Sequence, residues 1–129
     1  MSEKQITVDN VRAVGMHHHG PKELIVGGRY WLTWEPDCLF DLGNAMAVRD
    51  HHGFIRAYLT RTDAYAISSL YYADVVQGRC LCKPVTEAHV MSQQLGPQHE
   101  CRLKFKTLDI HIPFIAHVLT QANITYSLT

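Results

Sequence analysis

Apolar and polar positions alternate over much of the chain, and the alternation predicts strands before anything else is considered. From Gln5 to Val14, the residues Ile6, Val8, Val11 and Val14 stand among polar ones and Gly15 follows, which predicts an opening strand that ends in a turn. Gly20-Pro21 and Gly27-Gly28 are further turn signals. Between Arg29 and Glu35, Tyr30, Leu32 and Trp34 share one strand face while Trp31, Thr33 and Glu35 share the other, as in a half-buried strand. Pro36 stops it, because proline cannot donate to a ladder, and a loop runs from Asp37 to Asn44. Ala45 to Arg49 and Phe54 to Leu59 read as two strands of a hairpin whose turn is Asp50-His51-His52-Gly53.

Asp63 to Tyr72 then reads as a helix capped by Thr60 or Thr62, with Ala66, Ile67 and Leu70 inward and Asp63 suited to its positive first turn. Val75 to Val85 reads as a strand closing near Pro84. A Gly96-Pro97 turn leads to the cleanest period-two pattern in the chain, where Cys101, Leu103 and Phe105 alternate with Arg102, Lys104 and Lys106. Pro113 suits the first turn of a second helix, in which Ile115, Val118, Leu119 and Ala122 fall at helical spacing against the sheet. The expected class is mainly β with two helices, α+β.

Composition narrows this further. The 129 residues suffice for one core and not for two, and no repeat or linker divides them, so residues 1–129 are expected to form a single domain. A hydrophobic content of 47% against 19% charged residues excludes a disordered chain. No apolar run approaches the roughly 20 residues that cross a bilayer, and the N-terminus lacks the character of a signal peptide, so an intracellular protein without membrane partners is expected. In that setting Cys38, Cys80, Cys82 and Cys101 read as reduced thiols. Twelve basic and twelve acidic side chains cancel, so any nucleic-acid site must be local. Nine histidines make the charge depend on pH.

An ordered set of positions resembles one family. Val14-Gly15, Trp34-Glu35-Pro36, Asp41, Asn44-Ala45-Met46-Ala47-Val48, Gly53, Tyr58-Leu59 and Ala64 follow the order and spacing of HIRAN domains between residues 11 and 70, and residues 75–124 supply the expected later strands and helix. The resemblance implies a small OB-like or SH3-like β-barrel of the HIRAN type. It also implies binding rather than catalysis, since HIRAN domains accompany helicases and nucleases, and one characterised group binds the 3′ end of single-stranded DNA. There, a basic residue and two aromatics line the pocket, at places that fall here on His17, His18 and His19. An aromatic-acidic pair is matched by Phe40-Asp41, and by the resemblance Asp41 accepts a hydrogen bond from the terminal 3′-hydroxyl. Tyr58 stands where a histidine can occur, and Gly43 looks inserted before Asn44-Ala45.

The residues leave alternatives open. His17, His18 and His19 can bind phosphate when protonated, stack on bases, ligate a transition metal or form a plain solvated turn. Arg102, Lys104 and Lys106 can follow a phosphate backbone or simply be the wet side of a strand. Trp31 is a candidate stacking platform or a partly covered surface residue. Cys80 and Cys82, with His89, His99 and Cys101, lack finger-like zinc spacing, so packed thiols and no cofactor are expected. No phosphate-binding glycine loop, His-Glu-x-x-His or Gly-x-Ser-x-Gly occurs, and no enzymatic activity is expected. The functional expectation is a nucleic-acid-binding module that recognises single-stranded DNA or its 3′ end through His17, His18, His19, Phe40, Asp41, Tyr58, Arg102, Lys104 and Lys106, working with a helicase or nuclease in trans. The alternatives are a protein-interaction adaptor that keeps the fold without the pocket, and a small metal- or ligand-binding protein.

Overall fold

The alternating segments close on one another as a barrel. The computed structural model describes residues 2–16, 23–38, 42–92 and 96–129. Its elements in chain order are β1 (Glu3–Val14), β2 (Tyr30–Glu35), β3 (Ala45–Arg49), β4 (Ile55–Leu59), α1 (Arg61–Tyr72), β5 (Gln77–Pro84), β6 (His89–Ser92), β7 (Gly96–Leu108), α2 (Ile112–Gln121) and β8 (Tyr126–Leu128). Six strands, in the order β7-β5-β2-β3-β4-β1 with β1 returning to β7, form a closed antiparallel barrel, and β6 and β8 extend it at the margins.

Closure depends on β1. One edge of β1 pairs with β7, from Glu3↔Leu108 to Ala13↔His99. The other edge is shared in succession by β8, at Ile6 to Val8, and β4, at Ala13 and Val14. The register shifts between Val8 and Val11, and an extra residue there bends and twists the strand, which lets one strand serve two partners on the same edge.

Inside the barrel, Ile6, Val8, Val11, Leu32, Met46, Val48, Ala57 and Leu103 are buried, with Cys80, Cys82 and Cys101 packed among them. The inward stripe of α1 is Ala64, Ala66, Ile67 and Leu70, and α2 adds Ile115 and Leu119 to the same core. Burial pushes the Cys80 thiol up to about 12, which keeps it protonated and unreactive.

Several boundaries differ from expectation. The helix α1 begins at Arg61, and Thr60 is its N-cap by position, although its hydroxyl oxygen accepts no backbone N–H of the helix. Asp63 does not act in the first turn alone, because its carboxylate accepts the Arg12 N–H of β1 at 2.9 Å. Gly96 and Pro97 are not a turn but the opening of β7, where Pro97 lies opposite Val90 of the marginal strand β6. The strand after α1 starts at Gln77, since Val75 turns inward and its carbonyl accepts the buried Thr107 hydroxyl at 2.6 Å.

Candidate nucleic-acid interface

Tyr58 marks the rim where two segments leave the barrel. Its neighbours Ala57 and Leu59 are buried in the core, so alternation turns Tyr58 outward, and it is half-buried. On one side it lies opposite Val14, the last residue of β1, and on the other opposite Ala47 of β3. The segment after Val14 carries the three histidines, and the segment before Ala45 carries Phe40 and Asp41. His17, His18, His19, Phe40 and Asp41 lie outside the described residues, so their predicted convergence with Tyr58 does as well.

Both segments are anchored where they meet the barrel. Met16 is fully buried before the histidines, after Gly15 takes a φ of +78° that favours glycine. Leu24 is buried beyond them, and its N–H donates to His99 Nε2 at 2.9 Å. His99 Nδ1 lies 2.8 Å from the Thr86 carbonyl, which can only accept, so the ring is held neutral with its proton on Nδ1. This single buried side chain ties the histidine segment to β7 and to the chain beyond β5.

The loop after β2 is closed at its neck. Cys38 N–H donates to the Glu35 carbonyl at 3.1 Å, Gly43 N–H to the Cys38 carbonyl at 3.3 Å, and Trp34 Nε1–H to the Gly43 carbonyl at 2.7 Å. Ser68 of α1 donates its hydroxyl to Asn44 Oδ1 at 3.2 Å, fastening the returning chain to the helix. Between these ties Leu42 has a φ of +52° and is 91% exposed, a strained and unpacked placement that suits contact better than core formation.

Two basic residues at this rim escaped the sequence reading. Arg61 opens α1 three residues after Tyr58, and Arg12 precedes Val14 by two on the same outward side of β1. A cation at a helix N-terminus runs against the dipole, and that conflict is the signal that could have singled out Arg61. Burial raises the Asp63 carboxyl above its ordinary 3.8, against the lowering by the Arg12 N–H, the Thr60 hydroxyl and the Arg12 charge. Arg12 also lines a hollow of about 380 Å³ together with Thr86, Glu87, His89, Gln98 and Glu100, and its mixed charges select no ligand.

The basic stripe lies elsewhere. Arg102, Lys104 and Lys106 are exposed on β7, as their alternation predicts, with Lys104 opposite Thr7 of β1. Thr7 and Val14 are seven residues apart, roughly 23 Å along a strand, so the stripe and Tyr58 occupy different parts of the surface. Arg102 pairs with Asp9 at 3.1 Å and Lys106 with Glu3 at 3.7 Å, both in water, where such pairs hold weakly. His99 uses both ring nitrogens on backbone, and among the described residues no group of three or more His, Cys, Asp or Glu gathers around a metal position.

No family model and no curated protein matches the sequence. Solved structures do match the fold. The crystal structure of the HIRAN domain of human HLTF is similar with a TM-score of 0.72, over 92% of this chain and 93% of that chain, at 12% identity. A crystal structure of a protein from Lactobacillus plantarum, from a structural genomics consortium, is similar with a TM-score of 0.58, over 83% of this chain and all of the other, at 17% identity.

Proposed function

From the HIRAN-like barrel as premise, we propose that this chain is a nucleic-acid-binding module that holds the 3′ end of single-stranded DNA at the rim around Tyr58. The observation that carries the reading is the register of Tyr58 between Val14 and Ala47. That register sets the exit of the histidine segment and the entry of the Phe40-Asp41 segment on either side of Tyr58, with Arg61 and Arg12 nearby. In this reading His17, His18 and His19 contact phosphate and bases, Phe40 and Tyr58 stack, and Asp41 accepts the hydrogen bond of the terminal hydroxyl. Base–aromatic stacking contributes about 1–3 kcal/mol per base and tolerates any sequence, so the end is read and the sequence is not. A helicase or nuclease acting in trans would supply the motor or the cleavage that the module lacks.

The test compares short single strands with free and 3′-phosphorylated ends at a stated salt concentration. Tighter binding of the free end, with the preference lost in Asp41→Asn, supports the proposal. Equal binding of both ends contradicts end recognition. Titration between about pH 7.5 and pH 6 should strengthen binding and steepen its salt dependence by about 0.7 per phosphate neutralised, as imidazoles gain charge. Replacing His17 and His18 with Gln should remove that change.

A further inference from the structure

Beside the rim, the outer face of β2, β5 and β7 combines an aromatic platform with cations that no carboxylate among the described residues neutralises. Trp31 of β2 lies opposite Leu81 of β5, which lies opposite Lys104 of β7, so the three form one row across the barrel wall. Trp31 is half-buried, and the exposed Arg79 guanidinium sits over its ring at 4.8 Å from the centroid, as a cation on an aromatic face prefers. Lys83, two residues beyond Leu81, lies opposite Arg102.

Charge on this face is unevenly matched. Glu35 is engaged by Arg49, Asp9 by Arg102 and Glu3 by Lys106. Arg79, Lys83 and Lys104 have no such partner among the described residues, although the whole chain sums to zero. Arg49, beside Trp31 in the register, is fully committed to Glu35, Thr33 and the Gly53 carbonyl. Glu100, opposite Arg12, bounds the face at its far end. A strip with three unmatched cations around a stacked indole and guanidinium fits a polyanion that also offers flat rings.

We propose that this face is a second contact surface for single-stranded nucleic acid, with a base stacked on the outer plane of Arg79 above Trp31 and the flanking phosphates on Lys83 and Lys104. Trp31 fixes the guanidinium in place, so little freedom is lost when a base covers it. The proposal rests on the reading that the chain binds single strands, and it gives a longer strand a path beyond the rim. Trp31 is two residues from Thr33, which is in register with Ala47 and through it with Tyr58, so the platform stands roughly 12 Å from Tyr58 across the wall, more than the roughly 10 Å between the end bases of a stacked tetranucleotide at about 3.4 Å per base.

The experiment uses the full chain with strands of four and of twenty nucleotides, each with free and blocked 3′ ends, over a range of salt. The twentymer should bind at least tenfold tighter than the tetramer. Arg79→Gln should lose about tenfold for the twentymer and nothing for the tetramer, while Trp31→Phe retains most of the affinity. Lys83→Gln with Lys104→Gln should flatten the twentymer's salt slope by about 1.4, twice the single-strand value per phosphate. In a Trp34→Phe background, the twentymer and not the tetramer should quench Trp31 fluorescence. Unchanged twentymer affinity and slope in these outward-facing variants would overturn the second surface, as would a twentymer that binds no better than the tetramer. Loss of end discrimination with twentymer binding still dependent on Arg79 removes the rim reading and keeps this one. Failure of every strand to bind removes both.

Discussion

His99 shows how one buried side chain can anchor a distant segment through its backbone. Its Nε2 accepts the Leu24 N–H and its Nδ1 donates to the Thr86 carbonyl, with the ring fully buried. His99→Ala leaves a buried donor, a buried acceptor and a cavity, and should cost about 3 kcal/mol in a urea titration while speeding hydrogen exchange at Leu24. A change under about 0.5 kcal/mol with unchanged exchange would show that the histidine segment is anchored otherwise. In the sequence His99 stood as a remote metal candidate beside Cys101. Its parity with Cys101 and Leu103 already placed it inside the strand, had the alternation been carried two residues upstream toward the supposed Gly96-Pro97 turn. Its partners, 75 and 13 residues away, leave no local trace. Arg61 and Arg12 were missed for a different reason, since an isolated arginine has meaning only once its neighbours in space are known.

Strands and helices were legible wherever their side chains alternate between core and water. Arg102, Lys104 and Lys106 point outward and Cys101, Leu103 and Phe105 inward, as read, because a strand wall with one wet face enforces that pattern. The two marginal strands were not read: β8 has three residues and β6 four, too few for a period to emerge. The hairpin between β3 and β4 was legible because its turn chemistry is local. Gly53 takes a φ of +87°, and the Asp50 carboxylate accepts the N–H groups of His52 and Phe54, each at 3.0 Å. Slight burial alone would raise the Asp50 carboxyl, but the Phe54 and His52 N–H groups and the charges of Arg56 and His52 outweigh it and hold it below the ordinary 3.8. A lowered value means that this stabilisation is present above 3.8 and is lost as pH falls through the folded-state value. Asp50→Ala should therefore be less stable by about 1 kcal/mol near neutral pH, with the deficit shrinking as acid protonates the native carboxyl. A deficit that stays constant down to about pH 2 in urea titrations would contradict this origin.

For the molecule as a whole, the resemblance confined to residues 11–70 concealed how the barrel closes. Those residues supply β2, β3, β4 and only the last four residues of β1, but β5 and β7 complete the wall, and β1 is paired by β4 from mid-chain and by β7 and β8 from the C-terminal part. Long-range pairing of this kind cannot be seen in a window of sequence, whereas the barrel class could be, because the turn signals and alternation agreed with the family pattern. No helix among the described residues is long and apolar enough to cross a membrane. The zero formal charge of the whole chain likewise hid a local imbalance, which appeared only when β2, β5 and β7 were set side by side. The central claim is that a strand end docks at the Tyr58 rim, and backbone amide shifts on titration with a tetranucleotide bearing a free 3′-hydroxyl test it most directly. The account predicts that the largest shifts fall on Val14, Gly15, Asn44, Tyr58 and Arg61, while Phe114 and His117 on α2 stay still. Shifts centred on α2, or none at saturating strand, would contradict it.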